Sequence, residues 1–242
     1  MRNRLIAAGL AGVAVVVLAG GAAYVYFFSG LRSSPSPLGL SATPSAAASG
    51  TPTATTSGSL AGSWTVTTGS IAGYRVKELF VGQTSKHEAV ARTSTVSGSL
   101  IVSGGSSGYQ VSSITITAAL TDLHSVDSVA GRDVSQRDGF VARQMNLQQF
   151  PNATFTASSV SVAAAASGQP VDVSLPGSLT IHGVTKNVTA TAKAQLTGNK
   201  VEVAGSLAID MTDYGVRPPS VPFTTVDSQV TIEFHIFLTK SA

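Results

Sequence analysis

The sequence predicts a mainly β domain of antiparallel strands with one helical insert, preceded by a membrane anchor and a linker. Three observations support this fold class. Apolar and polar residues alternate over long stretches after residue 59, and glycine-containing turns separate these stretches. Only 11% of the 242 residues are charged, whereas Ser, Thr, Ala, Val and Gly are abundant, a composition that favours strands and turns over helices.

The clearest predicted strand is 230–238, in which five apolar residues alternate with polar residues that include Glu233 and His235. Three further stretches with this pattern are 114–120, 188–194 and 201–209. Each pattern predicts one buried face and one solvated face, as in antiparallel sheets. Several such strands with turns between them indicate a sandwich or a closed barrel.

One stretch, 126–149, has no alternation and predicts the helical insert. Its apolar residues lie at spacings of four, seven and four, which place them on one helical face. These residues are Ala130, Val134, Val141 and Met145. Asp133 and Arg137 form an i,i+4 pair of favourable order, and Phe150-Pro151 ends the helix.

The predicted inward faces carry many small residues, Ala, Val and Gly, at positions where Leu and Phe would fill a core. An eight-stranded barrel with small inward side chains can hold a ligand instead of filling itself. The same residues also suit a tightly packed sandwich, so the pattern leaves both interpretations open.

The N-terminal segment 5–28 is an uncharged apolar run, long enough to cross a bilayer as a helix. Arg2 and Arg4 precede it, which predicts a cytoplasmic N-terminus. The alternative is a secretory signal peptide that is cleaved near Gly20, giving a secreted protein. We favour the uncleaved anchor because the apolar run continues past that point. Both interpretations place the rest of the chain outside the cytoplasm.

Residues 29–58 are rich in Ser, Thr, Ala and Pro and predict a flexible linker between the anchor and a domain at 59–242. A flexible tether of roughly 30 residues has an average reach of about 30 Å. We therefore expect the domain to stay near the membrane without a fixed position relative to it.

The net charge of +3 comes entirely from Arg2, Arg4 and Arg32. The chain after residue 59 carries 12 basic and 12 acidic residues, so it has no basic excess that would indicate nucleic-acid binding. The absence of cysteine excludes disulfides, thiolate metal sites and a cysteine nucleophile.

Catalytic and metal signals are weak. The four histidines, His87, His124, His182 and His235, have no close ligand spacing. The segment 122–125, Asp-Leu-His-Ser, contains the residue types of a hydrolytic triad but no nucleophile-elbow motif. We interpret it as the loop that begins the insert, and we predict neither an enzyme nor a metal protein. His182 is expected to support a turn by hydrogen bonds.

Two motifs resemble the YceI-like family of polyisoprenoid-binding proteins. The first is Gly131-Arg132-Asp133, followed by Phe140 and then Gln149-Phe150-Pro151-Asn152-Ala153-Thr154-Phe155. The second is the string Leu179-Thr180-Ile181-His182-Gly183-Val184-Thr185-Lys186. Their order and spacing are similar to those of the family, and the resemblance covers most of 60–240.

The resemblance implies an extended, lipocalin-like antiparallel barrel of about eight strands that holds an isoprenoid lipid or quinone, with no catalytic activity. In such a barrel, Phe140 and Met145 would close one end of the cavity. The other predicted lining residues are Phe80, Phe155, Leu207, Ile209, Ile232 and Phe234. Arg132 or Arg137 would meet a polar or phosphate head group, because the guanidinium fork binds phosphate well.

Two alternatives stay open at this point. The domain could be a structural or interaction module of the cell envelope, with a filled core and no ligand. The second alternative is an enzyme that acts on a lipid head group through His124 or the charges of the insert. The oligomeric state is equally open, because exposed sheet edges are able to form a homodimer.

Overall fold

A computed structural model of the chain describes residues 21, 32–41, 60–105, 107–164, 166 and 168–241. The predicted anchor at 5–28 lies outside the described residues, except for Gly21. Most of the predicted linker also lies outside them. No helix within the described ranges is long and apolar enough to cross a membrane.

Antiparallel strands dominate the described chain, and one α-helix interrupts them. The strands are β1 (Arg32–Ser33), β2 (Gly62–Val66), β3 (Ile71–Phe80), β4 (His87–Thr93), β5 (Val96–Gly105), β6 (Gly108–Ala119), β7 (His124–Ser125), β8 (Ser128–Val129), β9 (Asn152–Val162), β10 (Val171–Ile181), β11 (Val184–Thr197), β12 (Lys200–Asp210), β13 (Ser220–Val221) and β14 (Thr224–Lys240). The helix α1 is Gln136–Gln144, and two 3₁₀ turns are Leu120–Asp122 and Met211–Tyr214.

Eight strands close into a barrel in the order β12-β11-β10-β9-β6-β5-β2-β14, and β14 pairs with β12 to complete the ring. The predicted mainly β fold and its antiparallel barrel are therefore confirmed. Strand β14 runs the length of the barrel. Its first half pairs with β3 and its last residues pair with β2, so β14 connects the two ends of the molecule.

The β10–β11 hairpin shows how the sequence sets the register. Its two-residue loop, His182-Gly183, has positive φ at both positions, 52° and 75°. Two successive positive φ angles are the requirement of a type I′ turn, whose twist matches that of the flanking strands. Ile181 therefore pairs directly with Val184, and the ladder continues from there to Val171 and Ala194.

The helical insert is shorter than the sequence indicates. The helix occupies only Gln136–Gln144, so Ala130 and Val134 precede it and the predicted four-residue apolar stripe does not form. The predicted ion pair between Asp133 and Arg137 is also wrong. Asp133 instead accepts hydrogen bonds from the backbone and hydroxyl of Ser135, an arrangement that competes with helix in this first turn.

Residues 32–41, which the sequence analysis includes in a flexible linker, lie extended along the outer face of the barrel. We call this segment the strap. β1 pairs with β8, and farther along, the backbone N–H groups of Leu38 and Ser41 donate to Glu233 and Glu202. The strap differs from the expected linker because buried charges on the barrel wall bind its backbone.

The strap also corrects the expected solvation of β14. Alternation predicts that Glu233 and His235 face water, but Glu233 is only 2% exposed. Its carboxylate accepts from Arg75 at 2.7 Å and from Arg92 at 2.9 Å. Both arginines also donate to backbone oxygens of the strap, at Pro35 and Ser36. The outer face is thus polar, as predicted, but covered.

Candidate functional site

Two cavities lie inside the barrel, one toward each end. The deep cavity lies near Trp64 and the last residues of β14. It has a volume of about 230 Å³ and is lined almost entirely by aliphatic and aromatic side chains. The insert-end cavity, beneath α1, has a volume of about 740 Å³. The larger volume falls within the 300–1,000 Å³ that ligand pockets usually have.

The two cavities share part of their walls, which we call the waist. The residues that line both are Ala72, Ala118, Ala153, Leu179 and Ile232. Three of the five are alanines, so small side chains lie where the two cavities meet. A long apolar chain that occupied both cavities would pass these residues.

Every residue that the sequence analysis placed in a cavity lines one here. Phe80, Phe140, Met145, Ile209, Arg132 and Arg137 line the insert-end cavity, Phe155, Leu207 and Phe234 line the deep cavity, and Ile232 lines both. Phe140 lies on α1 and Met145 is its C-cap residue, so both belong to the helix that lies over the insert end of the barrel. Their contact with a ligand stays a prediction.

The insert end differs chemically from the deep end because it contains a buried cluster of charges. Arg137 of α1 donates to Glu78 Oε1 at 2.7 Å and to Asp127 Oδ1 at 2.7 Å. His87 Nε2 lies 2.7 Å from Asp127 Oδ2. Glu78, His87 and Asp127 are each at most 5% exposed. We call these four residues the insert cluster.

Burial and ion pairing shift the pKa values of the two acids of the insert cluster in opposite directions. Burial raises the pKa of Glu78, and the nearby Arg137 charge opposes this only in part. Burial would also raise the pKa of Asp127, but hydrogen bonds from His87, Arg137 and the Val90 N–H hold it well below its usual range. Asp127 is therefore the anion that holds Arg137, and through it α1, against the barrel.

The fold and the motifs agree with a known family. The chain matches the model of the YceI-like domain over residues 64–238, most of its length. The chain belongs to the YceI-like domain family. A comparison with curated protein sequences returned no match.

Solved structures are similar to this chain at low identity, and one of them has a TM-score above 0.5. A polyisoprenoid binding domain from Saccharophagus degradans is 16% identical, with a TM-score of 0.51, and the match covers 75% of this chain and 99% of that one. BcnA of Burkholderia cenocepacia is 18% identical, with a TM-score of 0.46 and coverage of 68% and 95%. The Campylobacter jejuni YCEI protein is 11% identical, with a TM-score of 0.46 and coverage of 68% and 89%.

Within this YceI-like domain, the insert cluster has the donor types of a metal site but already contains a cation. One ligand atom each from Glu78, His87 and Asp127 lie within 4.8 Å of one another. The guanidinium of Arg137 contacts both carboxylates at 2.7 Å and supplies a positive charge between them. A divalent ion would have to displace this arginine from a buried position, so the geometry fits a structural ion-pair cluster.

Two polar side chains that line the insert-end cavity, Tyr214 and Arg132, form no side-chain hydrogen bond or salt bridge with the described residues. Tyr214 is 2% exposed, and its hydroxyl is buried without a hydrogen bond. A buried hydroxyl left unpaired costs about 1–3 kcal/mol. Arg132 is exposed at the cavity entrance and stacks over the ring of Phe80 at 4.2 Å, and no acidic group in the described part of the chain pairs with it.

The side chains of the possible triad form no hydrogen bonds with one another in the described chain, although Arg137 donates to both Ser125 and Asp127. His124 is exposed and its Nδ1 faces the backbone oxygen of Asp122, whereas Ser125 donates to Asp138 and Asp127 is held by the insert cluster. His182 does hydrogen-bond, but to the backbone oxygen of Tyr214 at 3.1 Å. It therefore connects the β10–β11 turn to the 3₁₀ turn at Met211–Tyr214.

Sequence reasoning missed the insert cluster and Tyr214. Glu78 occupies an inward position of β3 between apolar residues, and this break in the alternation was the available signal. His87 and Asp127 are forty residues apart, so no spacing rule connects them. The missing hydrogen bond of Tyr214 is a property of packing, which sequence does not show.

Proposed function

We propose that this protein is an extracytoplasmic, membrane-tethered binding protein for an isoprenoid lipid or a similar long amphiphile. The observation that carries the proposal is the polarity gradient along the barrel. The deep cavity is apolar, the insert-end cavity is lined by Arg132, Tyr214 and two members of the insert cluster, Glu78 and Arg137, and the waist between them is lined largely by alanine.

The gradient orients the ligand. An apolar tail gains about 0.8 kcal/mol for each methylene that it buries, so the deep cavity and the waist suit a hydrocarbon chain. The polar end then lies beneath α1, where the Tyr214 hydroxyl is available to donate. Arg132 at the entrance is the better of the two predicted head-group contacts, because Glu78 and Asp127 already bind Arg137.

The likeness to a polyisoprenoid binding domain supports the ligand class. Membrane tethering rests on the apolar segment 5–28 and the arginines that precede it. The competing envelope module requires a filled core, and the cavities are an argument against it. A head-group enzyme is disfavoured because His124 is exposed and does not line the insert-end cavity, and Arg137 is already bound by two carboxylates.

Native mass spectrometry of the full chain, released from membranes of the expression host in mild detergent, tests the proposal. Lipids extracted from the same preparation are identified in parallel. We expect a one-to-one adduct whose mass matches a polyprenyl lipid or an isoprenoid quinone. Persistence of the bare protein mass after incubation with such lipids would support the envelope module instead.

A further inference from the structure

The insert end of the barrel presents a pair of exposed apolar side chains. Within the described ranges, three large apolar residues are strongly exposed: Val81 at 67%, Phe223 at 58% and Ile101 at 44%. Val81 and Phe223 are adjacent, because the Val81 N–H donates to the Phe223 oxygen at 3.1 Å. Two separate loops thus place their apolar tips side by side.

This apolar pair lies next to the insert-end cavity. Phe223 lines the insert-end cavity together with Val221 and Pro219 from the same loop, and Phe80, which precedes Val81, lines it as well. We call Val81 and Phe223 the rim. Adjacent exposed apolar side chains around a cavity entrance are typical of a surface that binds another apolar phase.

Two cationic side chains line the same cavity as Phe223. Arg132 and Arg143 both line the insert-end cavity and are exposed. No salt bridge involves either guanidinium among the residues that the structure describes. Apolar tips beside unpaired arginines match the chemistry of a lipid–water interface, where apolar side chains insert and arginines meet anionic head groups.

The path of the chain brings the predicted anchor to the same end. Arg32, the first residue of the strap, donates to the backbone and hydroxyl oxygens of Ser85 and to the side chain of Gln83. Both partners belong to the β3–β4 turn that begins with Val81. The predicted anchor ends at residue 28, and four peptide steps span at most about 14 Å.

We propose that the rim docks on the bilayer, so that the entrance of the insert-end cavity faces the lipid and the cargo enters from the membrane. This inference rests on the proposed function, because it requires the anchor and a lipid cargo. The strap binds the barrel, so only residues 29–31 of the expected flexible linker lie between the predicted anchor and the docked segment. The membrane-facing end is then fixed by the fold.

A cysteine-free chain allows the test by site-directed spin labelling. Val81→Cys and Phe223→Cys are made in the full chain, and Ile101→Cys is the matched control. Ile101 pairs with Ser63 beside the last residues of β14, so it marks the opposite end. Each nitroxide is measured in vesicles of phosphatidylcholine and phosphatidylglycerol for collisions with oxygen, which partitions into lipid, and with a water-soluble nickel chelate.

We expect the labels at 81 and 223 to be accessible to oxygen and shielded from nickel, and the label at 101 to show the reverse. Equal nickel accessibility at all three positions in membrane-bound protein would overturn rim docking alone. A full chain that does not sediment with vesicles would overturn the tether and rim docking together. Strong dipolar coupling between the labels at 223 of two chains in the same vesicles would also overturn it, by showing that a second copy covers the rim.

A second experiment measures the rate of lipid uptake from vesicles. The variant Val81→Asp should take up lipid from vesicles about tenfold more slowly, because an apolar contact with the bilayer is replaced by a charge. Val81 does not line either cavity, so binding of lipid delivered in detergent should be unchanged, and Ile101→Asp should match the parent in both assays. Unchanged uptake from vesicles by Val81→Asp would contradict rim docking.

Discussion

Arg75 Nε lies 2.7 Å from Glu233 Oε2, and both side chains are buried on the outer face of the barrel. A buried ion pair requires further hydrogen bonds to offset its desolvation. The strap supplies them, since the Pro35 oxygen accepts from Arg75 and the Leu38 N–H donates to Glu233. The strap and the barrel therefore stabilise each other through backbone groups of the strap.

Leu38→Pro should release the strap, because proline has no N–H to donate to Glu233. Loss of a hydrogen bond to a charged group costs about 1.5–3 kcal/mol. We expect hydrogen exchange at the Ser41 amide to become faster while the amides of β10 and β11 stay protected. Leu38→Ala keeps the N–H and is the control. Equal exchange at Ser41 in the parent and the proline variant would show that this bond does not hold the strap.

Acidification should loosen the same end of the strap. Burial would raise the pKa of Glu202, but hydrogen bonds from Ser41 and His235 lower it below its usual value of 4.5. A lowered pKa in the folded state stabilises the docked form above that usual value, and the contribution is lost as pH falls through the folded pKa.

We therefore expect exchange at Ser41, corrected for its intrinsic pH dependence, to rise below about pH 4.5. Glu202→Gln should flatten this dependence. A corrected rate in the parent that stays constant down to pH values at which the barrel unfolds would contradict the assignment to Glu202.

Arg137→Met should destabilise the protein far more than Arg132→Met. Removal of Arg137 leaves Glu78 and Asp127 buried without their cation, which costs about 3 kcal/mol. Arg132 is exposed and unpaired in the described part of the chain, so its loss should cost less than about 1 kcal/mol. Urea unfolding of both variants measures the difference. Similar midpoints would mean that the insert cluster does not hold α1 in place.

Tyr214→Phe should separate stability from ligand recognition. Removal of an unpaired buried hydroxyl leaves the free energy of unfolding of the lipid-free protein unchanged, or raises it by about 1 kcal/mol. Affinity for a polyprenol should fall about fivefold, since one hydrogen bond to the ligand is lost. Affinity for a hydrocarbon of equal length should not change. Equal losses for both ligands would indicate altered packing rather than a lost hydrogen bond.

The alternation of β6, β11, β12 and β14 predicted the strands well because a barrel wall has one inward and one outward face throughout. The same rule placed the cavity-lining residues, since Ile209 and Ile232 follow directly from the period of two. It failed on Glu233, because the covering strap comes from a segment whose composition indicates a flexible chain. Helix periodicity at Ala130 and Val134 failed because Asp133 and Ser135 form a local turn there.

In the proposed complex, one long apolar chain occupies both cavities through the waist, and Ala118→Phe tests this arrangement. Ala118 lines both cavities, whereas its neighbour Thr117 faces outward and bonds Thr154, so Thr117→Phe is the matched control. Lipid is identified by native mass spectrometry of each full-length variant. We predict a stoichiometric long-chain adduct in the parent and in Thr117→Phe, and its loss or replacement by a shorter chain in Ala118→Phe. The same adduct in all three proteins would contradict passage through the waist.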